Sequence, residues 1–221
     1  MTKIKGAIFD LDGTLFQSTG VWRQIDIDFL KKRGFDEVPA DYVETITPME
    51  FRQIADYTIE RFGLKERAED IMDEWNRMAL DAYTNDVPLK KGVKEFLQEI
   101  SDAGIQMGVA TSNIANLYMP CLTRNGIVSY FHSYTECGDV GKGKRFPDIY
   151  IEAARKLGCL PEECLVFEDI TDALQTAKKA GFVTVCARDE AWDYDEEFLK
   201  EIADYQIHDF SEALSLINLF R

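Results

Sequence analysis

Basic residues are in short supply in this chain. Lys and Arg number 25 against 40 Asp and Glu, which leaves a net charge of −15 over 221 residues. Such a chain repels phosphate backbones and anionic headgroups, so neither nucleic acid nor a membrane is an expected partner. Histidine is scarcer still: with His132 and His208 alone, neither a zinc cluster nor a Ser-His-Asp triad is well supported. Cys121, Cys137, Cys159, Cys164 and Cys186 are scattered, odd in number and without a Cys-x-x-Cys pair, the pattern of reduced thiols. No apolar run approaches a membrane span, no signal peptide is expected, and there is no internal repeat or low-complexity tract. A cytoplasmic location is expected.

What the chain does have is 46% hydrophobic content, ample for one packed α/β domain and a smaller insertion. From about Lys90 to Ala187, strand-like and helix-like segments alternate, the mark of a Rossmann-like parallel sheet flanked by helices. Val93, Phe96, Leu97 and Ile100 recur at i, i+3, i+4 and i+7, which gives one of those helices a buried face. Between Phe16 and Val87 no strand pattern occurs. Helical stretches run there around Val21 to Lys32, Pro48 to Phe62 and Lys65 to Tyr83, punctuated by Gly34, Pro39, Pro48, Gly63 and Pro88. The expected division is an α/β core of residues 1–15 and 88–221 with an inserted helical cap of residues 16–87.

Chemistry first surfaces at Asp10-Leu11-Asp12-Gly13-Thr14, directly behind the apolar run Ala7-Ile8-Phe9. Side chains at i and i+2 of an extended segment point the same way, so Asp10 and Asp12 can face one crevice while Leu11 turns into the core. Gly13 lets the backbone bend and Thr14 can bond within the turn. Two like charges held this close need a cation or a shared proton, which points to a metal site; the plainer alternative is a strand ending in an Asx turn.

The pentapeptide resembles the first motif of the haloacid dehalogenase superfamily, whose phosphatases use the first Asp as nucleophile and the second as general acid/base. The resemblance implies three further pieces. After the strand-like Gly104 to Ala110, Thr111-Ser112-Asn113 supplies the hydroxyl of the second motif, and the N–H groups of a helix start beside it would cradle phosphate; the alternative is simple helix capping. In Gly141-Lys142-Gly143-Lys144-Arg145-Phe146-Pro147-Asp148, the family spacing selects Lys144, whose ammonium would neutralise both nucleophile and phosphate, although Arg145 replaces a common proline. Behind the apolar Cys164 to Phe167 comes the acidic pair Glu168-Asp169, followed by Ile170 and Ala173 where the family has Ser and Gly. On this pattern Mg²⁺ would be held by Asp10, the Asp12 carbonyl and Asp169, with Glu168 either a ligand or a partner behind the ligands.

A helical insertion between the first and second motifs resembles the β-phosphoglucomutase-like branch. Such a cap implies water exclusion and most of the substrate contacts. Trp22, Tyr57, Trp75 and Tyr83 are candidates to line its pocket, and Arg23 and Arg52 are candidate phosphate or sugar contacts. The resemblance therefore implies a Mg²⁺-dependent phosphatase acting on a small phosphorylated metabolite through an aspartyl-phosphate. Asp10, Asp12, Thr111 and Lys144 would be catalytic, and Ser112, Asn113, Trp22 and Arg52 would join Thr111 and Lys144 in binding substrate. A sugar phosphate mutase and a non-catalytic binding protein of the same fold are the alternatives. Against the mutase, the branch's cap histidine, twelve residues beyond the nucleophile, falls here on Trp22, whose indole has no basic nitrogen.

Overall fold

A computed structural model describes residues 3–46, 49 and 51–220. Its centre is a parallel six-stranded sheet, in the order β3-β2-β1-β4-β5-β6. The strands are β1 (Gly6–Phe9), β2 (Gln106–Thr111), β3 (Ser133–Glu136), β4 (Cys164–Glu168), β5 (Val183–Ala187) and β6 (Tyr205–Ile207). The Rossmann-like α/β class expected from the alternating segments is the one observed. Strand β2 starts two residues later than its apolar run, because Gly104 takes a left-handed φ of 73° to end the preceding helix.

The chain divides into two compact units, Met1–Thr19 with Val87–Arg221, and Gly20–Asp86. Helix α1 (Thr19–Lys31) begins at the last residue of the first segment, and α2 (Ala40–Ile46), α3 (Phe51–Phe62) and α4 (Ala68–Asn85) complete the helical unit. The core unit carries α5 (Val93–Asp102), α6 (Ala115–Asn125), α7 (Cys137–Val140), α8 (Asp148–Lys156), α9 (Thr171–Lys179), α10 (Glu196–Ile202) and α11 (Phe210–Ala213). Among the described residues, no helix is long and apolar enough to cross a membrane.

In the core unit, β1 pairs with β2 on one side and β4 on the other, so successive strands diverge about it. That is the topological switch point, where the carboxyl ends of parallel strands open a crevice. Alternation along the central strands sorts the core into two faces. Phe9 stacks on Phe167 at 4.7 Å and meets Phe96 edge-on, and Phe96 and Phe167 both pack on Phe210. Ile8 and Val166 turn the other way, toward Ile149, Tyr150 and Ala153 of α8. The periodic residues of α5, Val93, Phe96, Leu97 and Ile100, are all fully buried. Truncating a ring such as Phe96 to Ala would cost roughly 3–5 kcal/mol.

The helical unit is built on an aromatic interior. Helix α4 buries Ile71, Trp75, Ala79 and Tyr83 along one stripe, and Trp75 packs against the rings of Phe29 and Phe51. Tyr42 of α2 shares a 2.8 Å hydrogen bond with Thr58 and stacks on Tyr57. Helix α2 has no counterpart in the sequence reading. It is only 7 residues long, and Tyr42 and Ile46, one helical turn apart, are its apolar anchors. The expected helix start at Pro48 lies outside the described residues.

Candidate functional site

Strand β1 delivers Asp10 to the crevice on the same side as Ile8, since side chains alternate along an extended chain. The Asp10 N–H donates to the carbonyl of Phe167 at 3.0 Å, which locks the two strand ends together. Its carboxylate is only 6% exposed and pairs with Lys144, whose ammonium also donates to Glu168 Oε1 at 2.5 Å. Tyr150 of α8 donates to the same Glu168 oxygen at 2.7 Å. Carboxylate oxygens of Asp10, Glu168 and Asp169 all lie within 4.8 Å of one another.

This crowding sets the electrostatics. Burial raises the pKa of Asp10 well above the usual carboxylate range, and Glu168, Asp169 and Asp12 add to the rise against the pull of Lys144. Burial lowers the pKa of Lys144, but Asp10 and Glu168 more than offset it, so the net shift is upward. Asp169 is pushed up to about 6 by burial and by Glu168, with the indole N–H of Trp192 opposing. One ammonium cannot balance three buried carboxylates. Glu168 Oε2, fully buried, has no hydrogen-bond partner. An oxygen-rich, net negative cluster with an orphaned acceptor fits a hard divalent cation such as Mg²⁺.

Gly13 makes the close approach. Its φ is 76°, and a Cβ there would stand 2.2 Å from Asp169 Oδ2. The turn it allows brings Thr14 to donate to Asp169 Oδ1 at 3.1 Å. Asp12 is less buried than Asp10, and its carboxylate accepts from Ser18 at 2.6 Å and from the Asn113 side-chain amide at 2.8 Å. Those donors orient it without adding positive charge.

Thr111 is buried at the end of β2, and its Oγ1 accepts from the Asn113 N–H at 3.0 Å, which leaves its hydroxyl hydrogen to donate. The expected cradle of free N–H groups differs in detail. Asn113 Oδ1 accepts from Ile114 N, and Glu136 Oε1 accepts from Ala115 N and from the Tyr118 hydroxyl. The donors of residues 113–115 are therefore already engaged, because polar side chains flank the helix start on both sides. Ser112 is exposed and contacts the Cys137 thiol at 3.4 Å.

Asp10, Lys144, Glu168 and Asp169 thus form one contiguous polar set, and Asp12, held by Asn113, is near enough to act on Asp10 electrostatically. The helical-unit candidates have other surroundings. Trp75 and Tyr83 are 2% and 1% exposed and belong to that unit's interior, so as pocket-lining residues they are corrected. Tyr57 is half-buried on Tyr42, and Trp22 is exposed and in T-shaped contact with Phe51. Arg52 is exposed and already bridges Asp56 and Glu69, and Arg23 is exposed.

Sequence reasoning missed Ser18, Tyr150, Trp192 and Tyr194. The Trp192 indole N–H donates to Asp169 Oδ2 at 2.6 Å, and the Tyr194 hydroxyl donates to the Asp169 carbonyl at 2.9 Å. Both follow the carboxyl end of β5, which is the one signal that could have found them.

Comparison with known proteins identifies the family. The family model for haloacid dehalogenase-like hydrolases matches residues 7–187. Hexitol phosphatase B of Escherichia coli (strain K12) is 22% identical over 212 residues, 95% of this chain and 94% of that protein. The glyceraldehyde 3-phosphate phosphatase of Methanopyrus kandleri is 26% identical over 230 aligned positions, covering 97% of each. Among solved structures, a Thermotoga maritima protein assigned as a β-phosphoglucomutase superposes with a TM-score of 0.84 at 21% identity, covering 97% of this chain and 99% of that one, a likeness of fold. By a family match that runs from β1 to the end of β5, the chain belongs to the haloacid dehalogenase-like hydrolase family, among relatives named as phosphatases.

Proposed function

We propose that this hydrolase is a Mg²⁺-dependent phosphatase of a small phosphorylated metabolite, working through an aspartyl-phosphate on Asp10. The observation that carries the proposal is the buried Asp10–Lys144–Glu168–Asp169 cluster, with a less buried Asp12 beside it. Asp10 attacks phosphorus, because Lys144 holds its carboxylate in place and lowers the cost of its charge. Asp12 gives its proton to the leaving alkoxide and then takes one from the water that hydrolyses the acyl phosphate. Its hold by Ser18 and Asn113 keeps it aimed while it changes charge. The Thr111 hydroxyl and the Lys144 ammonium bind the transferring phosphoryl oxygens. Asp10, the Asp12 carbonyl and Asp169, with Glu168, would hold Mg²⁺, which when bound neutralises charge building on the phosphoryl group.

The inserted helical segment is proposed as the source of substrate selectivity, with Trp22 and Arg52 as candidate contacts. Curated relatives named for hexitol and glyceraldehyde phosphates support a small phosphorylated substrate here. The fold likeness to β-phosphoglucomutases makes a mutase the second reading. Trp22 weighs against it, because an indole N–H only donates and cannot take a proton from a sugar hydroxyl. A panel of phosphorylated metabolites assayed with and without Mg²⁺ tests the proposal, with Mg²⁺-dependent phosphate release expected for at least one small monoester. No release across the panel would oppose it. Conversion of β-glucose 1-phosphate to glucose 6-phosphate faster than phosphate release would favour the mutase.

A further inference from the structure

We propose that Trp192 is a positioning residue for Asp169, an uncharged clamp that fixes the carboxylate's rotation for cation binding and senses the cation's arrival. The inference rests on the phosphatase reading, since it takes Asp169 as a Mg²⁺ ligand. The two oxygens of Asp169 are held from opposite sides: Thr14 donates to Oδ1 at 3.1 Å and Trp192 to Oδ2 at 2.6 Å. Each oxygen keeps a second lone pair, so the clamp does not use up the ligand.

The kind of donor matters. A lysine or arginine at this place would neutralise Asp169 and compete with a cation for it. An indole N–H orients the carboxylate and leaves its negative charge intact. Burial does not explain the ring's placement, since Trp192 is 41% exposed.

The segment that carries Trp192 is itself framed. Asp189 accepts from Ala191 N at 2.9 Å through its side chain and from Trp192 N at 3.2 Å through its carbonyl. The Tyr194 hydroxyl accepts from Asp189 N at 3.0 Å while donating to the Asp169 carbonyl. Asp189 is anchored in turn by the buried Lys90 at 2.9 Å and by Thr19 at 3.1 Å. A segment braced at this many points presents the indole in one orientation, which is what positioning a ligand requires.

The test is a Mg²⁺ titration of the wild type and Trp192→Phe, followed by calorimetry and by the indole N–H resonances in ¹⁵N-labelled protein. The chain has 3 Trp, and the resonance missing from the variant identifies Trp192. The expected result is a Kd for Mg²⁺ raised about 10-fold or more in the variant, the usual scale for partners that orient metal ligands, with the melting temperature in the absence of Mg²⁺ little changed. The Trp192 resonance should also shift saturably with Mg²⁺ in the wild type. A Kd within about twofold of wild type, or a resonance unmoved at saturating Mg²⁺, would overturn the clamp while leaving the phosphatase reading standing. A wild type that binds no Mg²⁺ would overturn both. Should Trp192→Phe fail to fold, the wild-type spectrum decides, with Trp192 assigned by elimination through Trp22→Phe and Trp75→Phe.

Discussion

The core unit and the helical unit treat polar groups in opposite ways. In the core unit Asp10, Lys144, Glu168 and Asp169 are drawn together out of water, at a desolvation cost that an ordinary fold avoids. In the helical unit charges stay largely at the surface, as in Arg52 with Asp56 and Glu69 or Arg67 with Asp70, while the interior is aromatic. Exposed pairs of that kind contribute little to stability. The contrast teaches where selection has accepted instability. Buried, under-compensated carboxylates cluster at functional sites, whereas an aromatic interior needs no purpose beyond packing.

Breaking the chemistry should show the largest effect. Asp10→Asn removes the proposed nucleophile, since an amide does not attack phosphorus, and Mg²⁺-dependent turnover should fall by roughly 10⁴-fold or more with the circular dichroism spectrum unchanged. For Asp12→Ala, steady-state kinetics should show a loss of about 10²- to 10⁴-fold, the scale of acid/base assistance. A much smaller loss would make Asp12 structural.

Gly13→Ala sharpens the geometric side of the contrast. The added methyl would press on Asp169 Oδ2 from a φ of 76°, so something must give. The expectation is a stability loss of roughly 1–3 kcal/mol in denaturant titration, together with weaker Mg²⁺ binding. An equivalent substitution at Gly34, which also has positive φ but has nothing near its Cβ, should cost only the strain.

The smallest effect belongs to the helical unit. Burial pushes the Asp26 carboxyl up to about 6. Its folded form therefore holds a proton that the unfolded chain has released, and stability contributed at Asp26 falls as pH rises from about 4 to 6. Asp26→Asn removes that cost. The variant should exceed wild type by roughly 1–2 kcal/mol in denaturant titration at about pH 8, and the gap should close below about pH 4. A constant gap across that range would contradict the assignment.

The same contrast governs how much the sequence disclosed. Asp10, Thr111 and Glu168-Asp169 were legible because each follows an apolar run, and parallel strands bring their carboxyl ends together whatever the connecting helices do. Lys144 was legible only through the spacing of its loop to Pro147-Asp148. Tyr150 was not, because it sits in the apolar face of α8 and reads as core until its hydroxyl is seen on Glu168. Ser18, Trp192 and Tyr194 reach the acidic set from irregular segments, which have no periodicity to decode. In the helical unit, the lack of a strand pattern and the Gly and Pro punctuation gave away α1, α3 and α4 but could not distinguish Trp75 and Tyr83 of the interior from exposed Trp22. A helical stripe tells which face is apolar, not what covers it.

Trapping the covalent species tests the central claim most directly. The wild type would be mixed with a turning-over phosphomonoester and Mg²⁺, quenched in acid within a turnover, and reduced with borohydride, which converts an acyl phosphate of aspartate to homoserine. Mass spectrometry of the peptide carrying Asp10 should then show homoserine at position 10, with Asp12, Glu168 and Asp169 unmodified. Active enzyme with an unmodified Asp10 through every quench time, or homoserine at another carboxylate, would contradict the account.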